Sequence, residues 1–173
     1  MKKPRTEKLT MPKKLNSQLA LLLQALDEAY VDHAWQGTNL RGSIRGMKAQ
    51  RAAWRPSPER HNIWENIVHC AYWKYVVYRR ITGEKKGSFP LKGSNFFPRP
   101  EGNISEADWQ QDIELLDTMH DLLREAVAGL NPSKLTVLSP KKQWTLSQEI
   151  QGVAMHDVYH TGQIQLLKRL MKS

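Results

Sequence analysis

Three histidines carry the clearest chemical signal in this chain of 173 residues. His156 and His160 are four positions apart in the stretch HDVYH, and His69 lies in an earlier apolar stretch. Because positions i and i+4 project from the same side of an α-helix, His156 and His160 can hold one ligand without distortion of the backbone. Three protein ligands with a vacant position are typical of a catalytic metal site, whereas structural zinc sites have four ligands rich in cysteine. These three histidines are therefore candidate ligands of one divalent ion, provided that the helices carrying His69 and the His156–His160 pair are neighbours.

A structural role for the same histidines is the alternative. His156 and His160 interrupt an apolar stripe that would otherwise pack into a core, made of Leu146, Ile150, Val153, Ile164, Leu167 and Met171. A buried imidazole needs a hydrogen-bond partner, and a backbone carbonyl can supply one as well as an ion can. Cys70, the only cysteine, would project about 100° away from His69 on a helix, so we interpret it as a small core residue.

The elements that must position these histidines are helices. Apolar residues recur at spacings of three and four in four stretches, approximately residues 15–34, 62–82, 105–129 and 145–171. The last three begin with pairs that can cap a helix, namely Asn62 with Glu65, Ser105 with Asp108, and Thr145 with Gln148. Strand alternation and internal repeats are not evident. The sequence predicts an all-α antiparallel four-helix bundle in which residues 15–173 form a single domain.

Two long connections separate the first three helices. Residues 36–60 contain three glycines and two prolines, so we expect a connection across the bundle with one short helical turn near residues 40–47. Residues 83–103 include Phe89, Phe96 and Phe97, which makes this stretch too apolar for a free linker. It either covers one end of the bundle or forms a lid that shapes a substrate pocket.

The net charge of +9 comes from two short runs. Residues 1–14 and residues 41–60 each contain six basic residues and one acidic residue. We interpret the first run as a flexible tail and the second as a solvated connection, with an anion-binding surface as the alternative. Nucleic-acid binding is the least favoured function, because aromatic residues do not interleave with the basic ones. A single cysteine, no long apolar run and no apolar leader predict a cytoplasmic protein without a membrane span.

Two sequence stretches resemble the DinB-like family, four-helix bundles that include bacillithiol S-transferases. HDVYHTGQI at residues 156–164 is similar to the signature of the family's final helix. NIWENIVHCAYWK at residues 62–74 resembles its second helix, and WQGTNL at residues 35–40 also fits. The resemblance implies that His69, His156 and His160 bind one ion, commonly zinc or nickel, with water completing the shell. It also implies an up-down-down-up bundle that forms a homodimer.

Such a site suits two classes of reaction on a small-molecule substrate. An ion with an open position can activate water for hydrolysis, or it can activate a low-molecular-weight thiol for transfer to an electrophile. Asp157 is the candidate catalytic residue, as a general base or as an acceptor for a ligating imidazole. Glu65 and Gln163 are further candidate helpers, with helix capping and backbone hydrogen bonding as their alternatives. The competing hypothesis is a bundle that an ion only stabilises, or an interaction protein that uses its basic surface.

The three remaining histidines are not predicted to be ligands. His33 ends the first helix, His61 precedes the second and His120 lies in the third. Surface or capping positions explain all three, and nothing in their spacing directs them toward the other histidines.

Overall fold

The structure is a computed structural model that describes residues 16–87, 89–139 and 143–172. Its regular secondary structure is helical. Within these ranges only isolated bridges, and no β-strand, accompany the helices. The all-helical prediction is therefore confirmed for the described residues, and the tail predicted at residues 1–14 lies outside them. The α-helices are α1 Ser17–Tyr30, α2 Leu40–Ser43, α3 Ala49–Ala52, α4 Ile63–Thr82, α5 Glu106–Ala128 and α6 Leu146–Leu170, with a 3-10 helix at Pro132–Thr136 between α5 and α6.

The predicted caps set the ends of the two helices that carry the histidines. Asn62 and Glu65 form a complete capping box at the start of α4, and Thr145 and Gln148 form another at the start of α6. Each box satisfies two backbone N–H groups that a helix start leaves unpaired. Gly83 ends α4 with φ of 80°, a left-handed conformation that glycine adopts without steric cost.

The structure departs from the sequence prediction in the connections. Helix α1 ends at Tyr30 rather than near residue 34, because Ala34 pairs with Gly37 in a turn and Asn39 donates to the Asp32 carbonyl. The short helical turn expected near residues 40–47 is α2, and the sequence prediction missed α3. It also missed the 3-10 helix, although Pro132 directly after the cap residue Asn131 is a helix-start signal.

Helix α4 lies between α5 and α6 and packs against both, while α1 packs on the other side of the same two helices. Asn66 near the start of α4 contacts His160, whereas Arg80 near its end contacts Glu149. Helices α4 and α6 therefore run in opposite directions. This arrangement brings the first half of α4, with His69, against the middle of α6.

The segment at residues 83–103 is pinned to the bundle by both apolar and charged contacts. Phe97 is buried against Phe89 and Tyr72. Arg99 Nε donates to Asp112 Oδ2 at 2.6 Å, and the same oxygen accepts from Trp64 Nε1 at 2.7 Å. The segment thus covers one side of the bundle along a fixed path. Among the described helices, none is both long and apolar enough to cross a membrane.

Candidate metal centre

The three predicted histidines meet at one point between α4 and α6. His156 Nε2 lies 3.0 Å from His69 Nε2 and 3.1 Å from His160 Nε2. The ligating nitrogens of all three lie within 4.8 Å of one another, and no fourth histidine, cysteine or carboxylate of the described residues joins this group. The structure therefore brings together the whole predicted ligand set.

Two of the three rings are oriented by hydrogen bonds at their other nitrogen. The Asn95 backbone carbonyl lies 2.8 Å from His69 Nδ1, and Asn66 Oδ1 lies 2.7 Å from His160 Nδ1. Because a carbonyl oxygen only accepts, Nδ1 carries the proton in both rings and Nε2 keeps its lone pair. His156 Nδ1 is buried and has no hydrogen-bond partner among the described residues.

The donor set fits a divalent cation. His69 and His160 both present an Nε2 lone pair to His156 Nε2, and a single N–H of His156 can satisfy only one of them. A positive centre satisfies all three lone pairs together. Four-coordinate zinc with Zn–N bonds of about 2.0–2.1 Å separates its nitrogen ligands by about 3.3 Å, so the two separations measured from His156 Nε2 need only a small expansion.

Burial keeps these imidazoles neutral, which is the form that binds metal. Desolvation lowers the pKa of His156 to about 3, and the neighbouring His160 and His69 add to the effect. Desolvation also lowers the pKa of His160 to about 4. It lowers the pKa of His69 as well, although the hydrogen bond to the Asn95 carbonyl partly opposes that shift. The site therefore needs no deprotonation step near neutral pH to accept a cation.

Asp157 does not line the groove, although a carboxylate oxygen of Asp157 and Cys70 Sγ lie within 4.8 Å of a ring nitrogen of His156. Its carboxylate is fully buried and pairs with the ammonium of Lys74, which is also fully buried. Burial raises the pKa of Asp157, while Lys74 opposes that shift. The Cys70 thiol contacts the same carboxylate and has its own pKa raised by burial, in agreement with its interpretation as a core residue. A catalytic role for Asp157 stays a prediction.

Glu65 and His61 form a pair at one edge of the site. Glu65 closes the α4 capping box and also lies 3.0 Å from His61 Nδ1 and 2.9 Å from Arg55. Hydrogen bonds from His61 and Arg55 outweigh the effect of burial and lower the pKa of Glu65. Glu65 therefore caps α4, which was the alternative to a catalytic role in the sequence analysis. It also orients His61.

Phe96 connects His61 to the metal site. Its ring stacks on His61 at 3.7 Å and on His69 at 3.9 Å, with nearly parallel planes on both sides. The adjacent Asn95 accepts a hydrogen bond from Trp73 Nε1. The segment at residues 83–103 therefore shapes the pocket in addition to covering the bundle. Sequence reasoning missed these roles of His61, Asn95 and Phe96.

The other two histidines lie away from the trio. His33 is exposed, as predicted. The prediction of a surface or capping position for His120 was wrong, because the His120 ring is buried and stacks on Tyr30 with 3.8 Å between the ring centroids. Desolvation, with the nearby cations Lys74 and Arg124, lowers the pKa of His120 to about 3.

A groove of about 1110 Å³ follows α4 and α6 with the three histidines at its middle. Beyond His69 it is lined by Trp73 and Arg80, and on the other side of the trio by His61 and Gln163. Gln163 also hydrogen bonds to His160. A small molecule in this groove would contact the three histidines directly.

The described residues thus form an all-helical fold in which three imidazoles that could hold a metal ion converge in a groove. A family model for the DinB superfamily matches residues 31–164, about three quarters of the chain. The chain therefore belongs to the DinB superfamily, a metal-associated family, in agreement with the resemblance of its histidine stretches. Searches of curated proteins and of solved structures found no match.

Proposed function

We propose that this protein binds one divalent ion, zinc or nickel, through His69, His156 and His160 and uses it to transfer a low-molecular-weight thiol to a small electrophile. The observation that carries the proposal is that three neutral imidazoles, and no fourth ligand from the described residues, converge on the floor of a groove. Neutral ligands leave the charge of the ion undiminished, and the missing fourth ligand leaves a position for the substrate.

An ion held by His69, His156 and His160 would supply Lewis acidity that lowers the pKa of a thiol or water toward neutrality. In the transfer reaction the thiol releases its proton to solvent, its sulfur forms a bond to the electrophilic carbon, and the leaving group departs with the electron pair of the bond that breaks. The chain contributes orientation, because Asn66 and Asn95 hold the rings of His160 and His69. The groove holds the electrophile beside the sulfur, which supplies proximity.

Metal-dependent hydrolysis is the second candidate, and His61 is the observation that favours it. Glu65 holds His61 Nδ1 at 3.0 Å, which leaves the other ring nitrogen for a proton of the substrate or of water. A base oriented by a carboxylate is the usual arrangement for proton transfer by histidine. His61 lines the same groove as the trio.

We also propose the up-down-down-up order of the four long helices. Helices α1 and α5 are antiparallel where Asp27 contacts Arg124 and Tyr30 contacts Asp117. Parallel α4 and α5 are supported by contacts of Trp64 with Asp112 and of Lys74 with His120. A homodimer, which the family resemblance implies, is checked by light scattering on the purified protein.

The test uses untagged protein loaded with cobalt(II), a spectroscopic substitute for zinc. Addition of N-acetylcysteine should produce a sulfur-to-cobalt charge-transfer band, and the loaded protein should accelerate thiol addition to 1-chloro-2,4-dinitrobenzene. His156→Ala should lose both signals. His33→Ala, at an exposed histidine outside the site, should keep them.

Three results separate the alternatives. A metal-loaded protein that shows no band but hydrolyses esters would support the second candidate and contradict thiol transfer. A protein that binds the ion and shows neither activity would indicate the non-catalytic bundle. Loss of both signals in His33→Ala would mean that they do not arise at the proposed site.

A further inference from the structure

Gly152 leaves an unexplained space in the groove. It lies in the middle of α6, is exposed, and lines the groove one helical turn before His156. A glycine within a helix is unfavourable because the backbone loses more freedom on folding than at any other residue. Nothing in the chain lies within 4 Å of the position that a Cβ atom would take, so packing within the chain does not require glycine here.

Several apolar residues line the same groove as Gly152. They are the half-buried Trp73, Trp144 with 49 % of its surface exposed, and the buried Val77 and Val153. We call this part of the groove, defined by Gly152, Trp73, Val77, Trp144 and Val153, the Gly152 subsite. Aromatic rings that remain open to a groove can pack against the flat face of a ligand.

The Gly152 subsite is continuous with the metal site. Gly152 lies four positions before His156, a rise of about 6 Å along the helix. The Trp73 ring lies 6.1 Å from the His156 ring and is fixed by its hydrogen bond to Asn95. A molecule whose reacting atom is at the three histidines therefore reaches this subsite with a chain of only a few atoms.

The charged residues beyond the subsite do not call for a charged occupant. Arg80 and Glu149 both line this end of the groove, and they pair with each other at 2.6 Å. Their charges thus compensate each other, although Arg80 Nε and Glu149 Oε2 are buried without a hydrogen-bond partner among the described residues. An uncharged group therefore suits this end of the groove better than an anion or a cation does.

We propose that the Gly152 subsite holds the apolar, ring-bearing part of the electrophilic substrate, an inference that rests on the proposed function. The absence of a side chain at Gly152 is what makes the space for the ring. The substrate is then a small molecule with a reactive group at the ion and an uncharged aromatic or cyclic group about one helical turn away.

The test compares two hydroxamates, which chelate metal ions through their oxygens, on zinc-loaded protein by titration calorimetry. Acetohydroxamate reaches only the ion, whereas 3-phenylpropanohydroxamate also places a ring in the subsite. Because ring burial is favourable, the second probe should bind about tenfold more tightly or better to the native protein. In Gly152→Leu this gain should fall to below about threefold, while the affinity for acetohydroxamate stays unchanged.

Gly162→Leu is the matched control. Gly162 is also an exposed glycine within α6 with nothing within 4 Å of its Cβ position, but it does not line the groove. Both substitutions improve the helix propensity by the same amount. The gain of the ring-bearing probe should therefore persist in Gly162→Leu.

Each other outcome overturns the inference in a distinguishable way. Equal affinity of native protein for the two probes, or an unchanged gain in Gly152→Leu, contradicts the subsite alone. No binding of either hydroxamate to zinc-loaded protein contradicts the open metal position and with it the proposed function. A change of oligomeric mass in Gly152→Leu, measured by light scattering, would show that a second copy fills the space.

Discussion

His69 Nε2 lies 3.0 Å from His156 Nε2, although 87 positions separate the two residues in the chain. They meet because α4 and α6 run in opposite directions and pack against each other. His160, four positions after His156 on α6, completes the candidate ligand set. Two rings of the trio are then held by Asn66 and Asn95, so the ligand set depends on tertiary packing for its orientation as well as for its assembly.

Asn66→Ala should weaken metal binding without removing a ligand. Asn66 Oδ1 lies 2.7 Å from His160 Nδ1, and loss of such an outer partner typically costs 10–100-fold in metal affinity. Competition with a chromophoric chelator measures the effect. Asn66→Asp keeps an acceptor at this position and should retain more of the affinity than Asn66→Ala. Equal affinity of native protein and Asn66→Ala would contradict an orienting role for Asn66.

His120 should make the stability of the fold depend on pH. Its folded pKa of about 3 lies below the ordinary value of 6.5 for an unfolded chain. As the pH falls below about 6.5, the unfolded state takes up a proton that the folded state does not, so the free energy of unfolding decreases. The contribution is fully present above pH 6.5. The 3.7 Å separation from Asp27 is too long for a hydrogen bond that would hold a charged ring.

Urea denaturation at pH 7.5, 6 and 5 checks this dependence. The native protein should lose more stability over this range than His120→Gln, because the variant lacks this titrating group. The other histidines are present in both proteins and cancel in the comparison. Parallel pH profiles for the native protein and His120→Gln would contradict a neutral buried His120.

Lys74→Met should be strongly destabilising, because it leaves the fully buried Asp157 carboxylate without its partner. Removing one member of a buried ion pair costs about 3–5 kcal/mol. The double variant Lys74→Met with Asp157→Leu removes both charges and should recover most of that loss. Urea unfolding of the native, single and double variants measures the difference; a double variant no more stable than Lys74→Met would contradict it.

The same double variant tests the catalytic role predicted for Asp157. It keeps His69, His156 and His160, so it should still bind the ion. If Asp157 acts only through Lys74 within the core, the metal-loaded double variant should keep the thiol transfer of the native protein. A folded, metal-loaded double variant without activity would instead support a catalytic role for Asp157.

Local signals made much of the helical framework predictable from the sequence. The capping pairs at Asn62 and Thr145 act over three residues, and the His156–His160 spacing acts over one turn. The third ligand needed one further assumption, that the second and fourth long helices are neighbours. The apolar periodicity favours a bundle, and the bundle makes that neighbourhood plausible on physical grounds.

The surroundings of the three histidines could not be predicted in the same way. The stack of His61, Phe96 and His69 depends on the path of residues 83–103. The ion pair between Arg99 and Asp112 and the burial of Phe97 hold that path. None of these contacts produces a periodic pattern of residues in the sequence. His120 was misjudged because a polar residue on an amphipathic helix is usually solvated, whereas here Tyr30 and Lys74 enclose it.

Elemental analysis of untagged protein is the most direct measurement of the central claim that the three histidines bind an ion. Native protein and His156→Ala are each incubated with zinc or nickel, freed of loosely bound metal by gel filtration, and compared per chain. We predict about one ion per native chain and a large loss in His156→Ala, which lacks one of three ligands. Native protein without metal, or equal metal in His156→Ala, would contradict the three-histidine site.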